Sequence, residues 1–191
     1  MEDIDKIIKF LNYIKLDSIS HSNRSLISHL IGTYSIIKHW QLQPSVCLAG
    51  LCHSIYGTTS LDSTGDSVSL SPRRRSFLRD LIGEEAEKIV FTYCSLPQGA
   101  IQRVDQHKGP YFYLVNRWSE QLIEVDNNFF SSLATLDLAN RIDFLTHAGE
   151  DLDKKNFFMQ DINYLIAVKN ILPRQVKDFA IKFFGLSSSL E

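Results

Sequence analysis

One eleven-residue segment of this chain is apolar on nearly every side. Residues 46–56 read VCLAGLCHSIY and follow Pro44 and Ser45, a pair that is typical of a helix start. A helix that is apolar all round has no face suited to solvent and must be buried. The sequence therefore predicts a chain that packs its other helices around residues 46–56.

The neighbouring segments have the amphipathic period that such packing requires. Apolar residues recur at three- and four-residue steps over 3–16, and a second apolar stripe runs along 24–40. The polar tract 17–23 separates these two helices, and the Gly/Ser/Thr-rich stretch 57–71 is predicted to be a mobile loop. Further helices are predicted over 71–81, 84–94, 129–147, 155–171 and 175–185, with a short β-hairpin over 111–125. Strands and helices do not alternate, so we expect an all-α fold with one small hairpin.

Composition and the chain ends exclude several classes of protein. With 20 Lys+Arg against 22 Asp+Glu the formal net charge is −2, whereas a general nucleic-acid binder needs a basic surface. Cys47, Cys52 and Cys94 have too few partners for a disulfide scaffold and are predicted to be reduced core residues. No segment approaches the roughly 18 apolar residues of a membrane span, and no secretory signal is present. We expect a cytoplasmic protein with one domain over 1–191 and with no nucleic-acid or membrane partner.

Two histidines lie at positions where surface residues are not expected. His29 is on the apolar stripe of its helix, and His53 lies inside the apolar segment. Two antiparallel helices could bring both rings together, and a pair of neutral imidazoles is a good start for a metal site or for acid–base chemistry. The alternative is that each ring only satisfies a hydrogen bond in the core.

The segments that carry these histidines resemble the first two motifs of HD-superfamily hydrolases. They read ISHLIGTYSII over 27–37 and LAGLCHSIYGT over 48–58. The spacing is closest to that of RelA/SpoT-type guanosine tetraphosphate hydrolases, and LANRIDFL over 138–145 is similar to the helix that completes their site. The resemblance covers about residues 20–146 and implies an HD-domain-like helical bundle, with C-terminal helices over 150–185 outside it.

The resemblance implies a role for several residues and also shows where this chain departs from the family. His29 matches the first metal ligand, His53 matches the histidine of the His-Asp doublet, and Arg24 falls near a basic position that helps to hold the nucleotide. Ser54 stands where the family has the aspartate of the doublet, and Gly57-Thr58 stands where it has the following Glu-Asp pair. Asn140 stands where it has the final aspartate.

Those replacements change the chemistry that the resemblance implies. A divalent metal (Zn, Fe or Mn) would be held by His29, His53 and Asn140. Hard cations such as Mn²⁺ prefer charged oxygens, so a softer Zn²⁺ or Fe²⁺ fits these residues better, and the alternative is no cofactor. Hydrolysis of guanosine tetraphosphate by the family mechanism is not expected. If the chain belongs to an uncharacterised HD-like family, these replacements are shared by that family and are not a loss in this chain alone.

Three hypotheses about function remain. In the first, a divergent HD-like hydrolase or lyase processes a small polar or phosphorylated metabolite, with His29 and His53 as an acid–base pair or as metal ligands. In the second, the same pocket binds a nucleotide or metabolite without turnover. In the third, the chain is a helical protein-interaction domain whose histidines satisfy each other in the core.

We follow the first hypothesis, and it predicts further site residues. The substrate contacts predicted for it are Arg24, Ser54, Tyr56, Thr58 and Arg141. Asp137 and Asp143 lie three residues on either side of Asn140 and could restore one carboxylate if their helix is rotated by part of a turn. The expected partner is a small-molecule ligand, and a homodimer stays open.

Overall fold

Seven α-helices make up most of the part of the chain that the structure describes. This computed structural model describes residues 2–21, 24–58, 70–104, 109–147 and 171–184. The helices are α1 Glu2–Tyr13, α2 Leu26–His39, α3 Pro44–Cys52, α4 Arg75–Ile82, α5 Glu84–Cys94, α6 Asn127–His147 and α7 Arg174–Phe183. The predicted, mainly helical fold is confirmed. The helix predicted over 155–171 and most of the loop predicted over 57–71 lie outside the described residues.

Two small antiparallel strand pairs accompany the helices. The predicted hairpin is present: β3 Tyr111–Val115 pairs with β4 Leu122–Asp126, with Phe112 opposite Val125. A second pair joins β1 Ser20–His21 to β2 Arg24–Ser25, where the sequence predicted only a break between helices. Strands of two residues are too short to show a period of two, which is why the pattern could not reveal them.

Helix α3 lies at the centre of the helices, as its apolar surface predicts. It packs against α2, α5 and α6, and α2 packs in turn against α6. Ala49, Leu51 and Cys52 are fully buried on it. The segment predicted to be helical up to residue 56 ends as a helix at Cys52, and a turn carries His53 and Tyr56 into the core.

A glycine allows α2 and α3 to approach each other closely. A Cβ atom at Gly50 would lie 2.7 Å from Cδ1 of Ile37 and 3.4 Å from the backbone of Tyr34. Glycine inside a helix costs about 1 kcal/mol relative to alanine, and a Cβ at this position would require the end of the Ile37 side chain to move. The two helices that carry the histidine motifs are therefore held side by side.

The structure tests the predictions for the cysteines and for membrane-spanning helices. Cys47, Cys52 and Cys94 are free and buried, as predicted. Burial raises the pKa of Cys52 to about 12, so its thiol keeps its proton. Among the described helices, none combines the length and the apolarity that crossing a membrane requires.

Candidate functional site

The two buried histidines lie next to each other in the structure. His29 on α2 is 0% exposed and His53 at the end of α3 is 1% exposed. Their ring centroids are 5.2 Å apart and the planes meet at 80°, an edge-to-face arrangement. His21 on β1 lies on the other side of His29, with 4.5 Å between the centroids. The sequence placed His29 and His53 in one site, and the fold brings their rings into contact.

Both ring nitrogens of His29 meet polar atoms from α6. Nδ1 is 2.6 Å from Oδ2 of Asp143, and Nε2 is 2.7 Å from Oδ1 of Asn140. These two residues are three positions apart and face the same side of their helix. Asp143 therefore brings a carboxylate to one nitrogen of the ring, and Asn140 brings an amide oxygen to the opposite nitrogen.

Asp143 is fixed in place by a guanidinium group and by a gap in the α2 surface. Arg24 on β2 donates to Oδ2 of Asp143. Gly32 lies one turn after His29, and a Cβ there would collide with Oδ1 of Asp143. The carboxyl group is 2% exposed at its side chain. Gly32 thus leaves the space in which Asp143 can reach the imidazole.

A chain of hydrogen bonds continues from Asn140 to a second carboxylate. Nδ2 of Asn140 donates to the hydroxyl of Tyr93 over 3.0 Å, and that hydroxyl donates to Oδ1 of Asp137 over 3.0 Å. The other carboxylate oxygen of Asp137 accepts from Nε of Arg141 at 2.6 Å and from Nε2 of Gln102 at 2.5 Å. Burial raises the pKa of Tyr93 well above its usual range, so the hydroxyl remains a donor.

His53 is held as a neutral imidazole with a known proton position. Its Nδ1 lies 2.8 Å from the carbonyl oxygen of Gly50, which can only accept a hydrogen bond. Nδ1 therefore carries the proton, and the lone pair is on Nε2. Burial lowers the pKa of His53 to about 4. The ring of Tyr93 packs against it at 5.9 Å.

His29 is also neutral at physiological pH. Burial lowers its pKa, and the nearby rings of His53 and His21 add to this effect. The amide oxygen of Asn140 acts in the opposite direction, because it would accept a hydrogen bond from the protonated ring. The negative charge of Asp143, which would otherwise favour an imidazolium ion, is balanced by Arg24. Both nitrogens face an acceptor oxygen, and the single proton of the neutral ring is drawn to Nδ1 because the charged carboxylate of Asp143 is a stronger acceptor than the amide oxygen of Asn140.

Counting protons along the chain identifies its reactive point. Four contacts link Asp143, His29, Asn140, Tyr93 and Asp137, and each requires one proton. Neutral His29, the amide of Asn140 and the hydroxyl of Tyr93 supply one proton each to these contacts. The contact without a proton is the one between Nε2 of His29 and Oδ1 of Asn140, where two lone pairs face each other. Nε2 is therefore positioned to take up a proton.

The predicted substrate contacts are distributed over two places. Arg24 and Arg141 each pair with a carboxylate of the histidine cluster. Tyr56 points elsewhere: its hydroxyl donates to Glu87 at 2.9 Å, in a separate buried group with Arg75. The two remaining predicted contacts lie in and after the turn that follows α3, with Ser54 buried and Thr58 half-buried.

Three members of the cluster were missed by sequence reasoning. Tyr93 belongs to the helix EEAEKIVFTYC, Gln102 to the turns after it, and His21 to the polar tract between α1 and α2. None of them falls in a recognisable motif, and only the contacts between distant segments reveal them. One indication was present in the sequence: Tyr93 lies on the apolar side of an amphipathic helix, where its hydroxyl would need a buried hydrogen-bond partner.

The side chains around the two rings fit a hard divalent cation poorly. His29, His53 and Asn140 would offer two neutral nitrogens and a neutral amide oxygen, whereas Mg²⁺ and Mn²⁺ prefer carboxylates. In the described ranges no group of three or more His, Cys, Asp or Glu side chains is arranged to hold a metal ion. Asp143 is directed at the wrong nitrogen of His29 to share a metal with Nε2.

A family model of unknown function matches one part of the chain. The family described as "Domain of unknown function (DUF6817)" matches residues 10–98. That range contains His29, His53 and Tyr93 and ends before α6, which carries Asn140 and both aspartates. No curated protein and no solved structure matches this chain.

The gap at Gly32 can be filled to test the position of Asp143. Gly32→Ala is expected to displace the carboxylate from His29 and to lower the free energy of unfolding by about 1–3 kcal/mol, the usual cost of overpacking. Urea unfolding measures the loss, and Ser35→Ala at an exposed position of the same helix is the control. A Gly32→Ala protein as stable as the parent would show that Asp143 does not occupy this space.

The neutral state of His53 makes stability depend on pH. Its pKa is about 4 in the folded chain and about 6.5 when unfolded. The unfolded chain binds the proton first, so stability falls as the pH drops from about 6.5 to about 4, by on the order of 3 kcal/mol. Urea unfolding at several pH values measures this fall. His53→Gln should weaken it, whereas exposed His39→Gln should not; equal pH dependence in both variants would contradict the assignment.

Proposed function

We propose that this chain is a divergent HD-like enzyme that carries out acid–base chemistry on a small polar or phosphorylated metabolite. One observation carries the proposal: the His29 ring lies between two acceptor oxygens, with Nδ1 2.6 Å from Oδ2 of Asp143 and Nε2 2.7 Å from Oδ1 of Asn140. A neutral ring has one proton for these two contacts. An imidazole held in this way accepts a proton readily from a group that displaces the amide. Side chains that serve only as packing have no need of such an arrangement.

The carboxylate behind the ring supports a general base. Asp143 accepts the Nδ1 proton of His29 at 2.6 Å, which fixes the tautomer and leaves the Nε2 lone pair facing Asn140. When Nε2 takes a proton from the substrate, the resulting imidazolium ion is stabilised by Asp143 and by Oδ1 of Asn140. General base catalysis of this kind contributes about 10²–10⁴-fold to a rate.

His53 is suited to the second proton transfer. Its ring is 5.2 Å from that of His29, and its own Nδ1 proton is held by the Gly50 carbonyl. Its Nε2 is therefore the nitrogen that remains able to exchange a proton. Arg24, whose side chain is 19% exposed, and Asn140, which is half-buried at Nε2 of His29, are parts of the cluster that solvent reaches.

The order of the site residues supports the HD-like part of the proposal. Successive helices α2 and α3 provide the two histidines, and α6 provides the residue at the position of the final aspartate. The family's metal step does not carry over, because none of the described side chains around the two rings offers a carboxylate to a metal at Nε2 of His29. We therefore propose no step that passes through a metal ion.

Binding without turnover is the second candidate, and one observation favours it. The carboxylates that handle the attacking water in the HD-type motif are replaced by Gly57 and Thr58, and the doublet's aspartate is replaced by Ser54. A chain that lost these groups could retain a ligand while losing hydrolysis. The two candidates make the same prediction for binding and different predictions for turnover.

The test compares turnover by the parent with turnover by His29→Asn. Product formation is followed for a panel of nucleosides, nucleotides, sugars and sugar phosphates, and any activity found should fall by about 10²–10⁴-fold in His29→Asn. His39→Asn at an exposed position is the matched control and should retain the activity. Element analysis of tag-free protein accompanies the assay.

The outcomes separate the candidates. Activity that survives in His29→Asn would contradict the proposed base. Ligand-dependent thermal stabilisation without turnover would replace the enzyme with the binding protein, since a ligand stabilises the folded state by mass action in either case. Stoichiometric metal lost in His53→Ala would contradict the metal-free account.

A further inference from the structure

The two ends of the hydrogen-bonded chain carry buried atoms without a partner. From His29, the series of side-chain contacts runs through Asp143 to Arg24 on one side. On the other side it runs through Asn140, Tyr93 and Asp137 to Gln102. Nε of Arg24 and Oε1 of Gln102 are both buried and find no hydrogen-bond partner within the described ranges. One is a donor and the other an acceptor.

The orientation of Gln102 follows from its neighbour. Asp137 can only accept, so the amide nitrogen of Gln102 must face it, and the 2.5 Å contact is made by Nε2. Oε1 therefore points away from Asp137. Gln102 is only 6% exposed, and a buried acceptor without a donor costs about 1–3 kcal/mol. A glutamine held at that cost indicates a ligand that supplies the missing donor.

The charges of the cluster indicate what kind of ligand this is. Arg24 is paired with Asp143 and Arg141 with Asp137, so two guanidinium groups are balanced by two carboxylates. The histidines between them are neutral. A phosphate dianion entering this cluster would lose its hydration without meeting an uncompensated positive charge. A neutral molecule meets no such penalty.

Three atoms of the cluster lack a complementary hydrogen-bond partner, and a hydroxyl group could supply one to each. Oε1 of Gln102 and Nε2 of His29 both accept, and Nε of Arg24 donates. A hydroxyl group can donate to the first two and accept from the third. Building on the proposed function, we infer that the site takes an uncharged, hydroxyl-rich molecule of the sugar or nucleoside class, and that Gln102 recognises one of its hydroxyl groups. His29 removes the proton of another hydroxyl.

The test measures affinity for matched pairs of compounds on the full chain. Calorimetry is run with adenosine, AMP and 2′,3′-dideoxyadenosine, and with ribose and ribose 5-phosphate. We expect adenosine or ribose to bind at least tenfold more tightly than its phosphorylated counterpart. If adenosine is the one that binds, it should also bind more tightly than its dideoxy analogue.

The role of Gln102 is tested on the hydroxylated compound that binds. Gln102→Met removes the acceptor Oε1, together with the Nε2 donor to Asp137, at nearly constant volume and should weaken that binding at least tenfold, the equivalent of one hydrogen bond or more. Gln98→Met, at an exposed position in the same connection, is the control and should leave the affinity unchanged. Circular dichroism and the thermal midpoint establish that Gln102→Met is folded, and Gln102→Asn, which keeps an acceptor, provides a second variant.

Each outcome decides the inference. Tighter binding of AMP or ribose 5-phosphate, unchanged affinity in folded Gln102→Met, or no binding of any of the five compounds would overturn it. The proposed function stands or falls separately: His29-dependent turnover of a phosphate ester would retain the enzyme and refute the uncharged ligand. Loss of hydroxyl recognition in both Gln102 variants would show that the glutamine is needed for the shape of the site alone, and would overturn its role as an acceptor.

Discussion

The contact between His29 and Asp143 is the interaction on which the cluster depends. It places an almost fully buried carboxylate against a fully buried imidazole, and burial of an isolated carboxylate would be strongly unfavourable. Arg24 balances that charge from the β1–β2 pair, and His29 donates the second hydrogen bond. Removing Arg24 or His29 would leave a buried negative charge poorly compensated, so these three residues act as one unit.

Two helical glycines lie in close contact with the histidine cluster. Gly32 leaves the space for Asp143 on α2, and Gly50 brings α3 close to α2 while its carbonyl oxygen holds the proton of His53. Both glycines lie inside helices, where they cost about 1 kcal/mol each relative to alanine. The same close packing that stabilises the core thus sets the geometry of the two rings. The packing of α2 against α3 therefore both forms the core and positions His29 and His53.

The sequence predicted the helices and the two histidines because those features depend on local period and polarity. The all-apolar segment 46–56 required a buried helix, and His53 inside it had to be buried as well. The sequence also named Asp143 as a carboxylate that could return to the site through rotation of its helix. It could not say which nitrogen of His29 the carboxylate would meet, since a shift of less than one turn decides that contact.

Tyr93 and Gln102 could not be predicted, because their roles depend on contacts between segments far apart in the chain. Gln102 meets Asp137 across 35 positions and Tyr93 meets Asn140 across 47. Tyr56 illustrates the converse: it lies three residues from His53, yet its hydroxyl meets Glu87. Closeness in sequence to a reactive residue is a poor guide to which side chains share its site.

The proton on His29 tests the account most directly. Nitrogen-15 NMR of histidine-labelled protein at neutral pH distinguishes the two neutral tautomers from the imidazolium ion, and His29→Asn assigns the signal. The account predicts a neutral ring with the proton on Nδ1 and a bare Nε2. A proton on Nε2, in either the other tautomer or the doubly protonated ring, would contradict the assignment of His29 as a base poised to accept a proton.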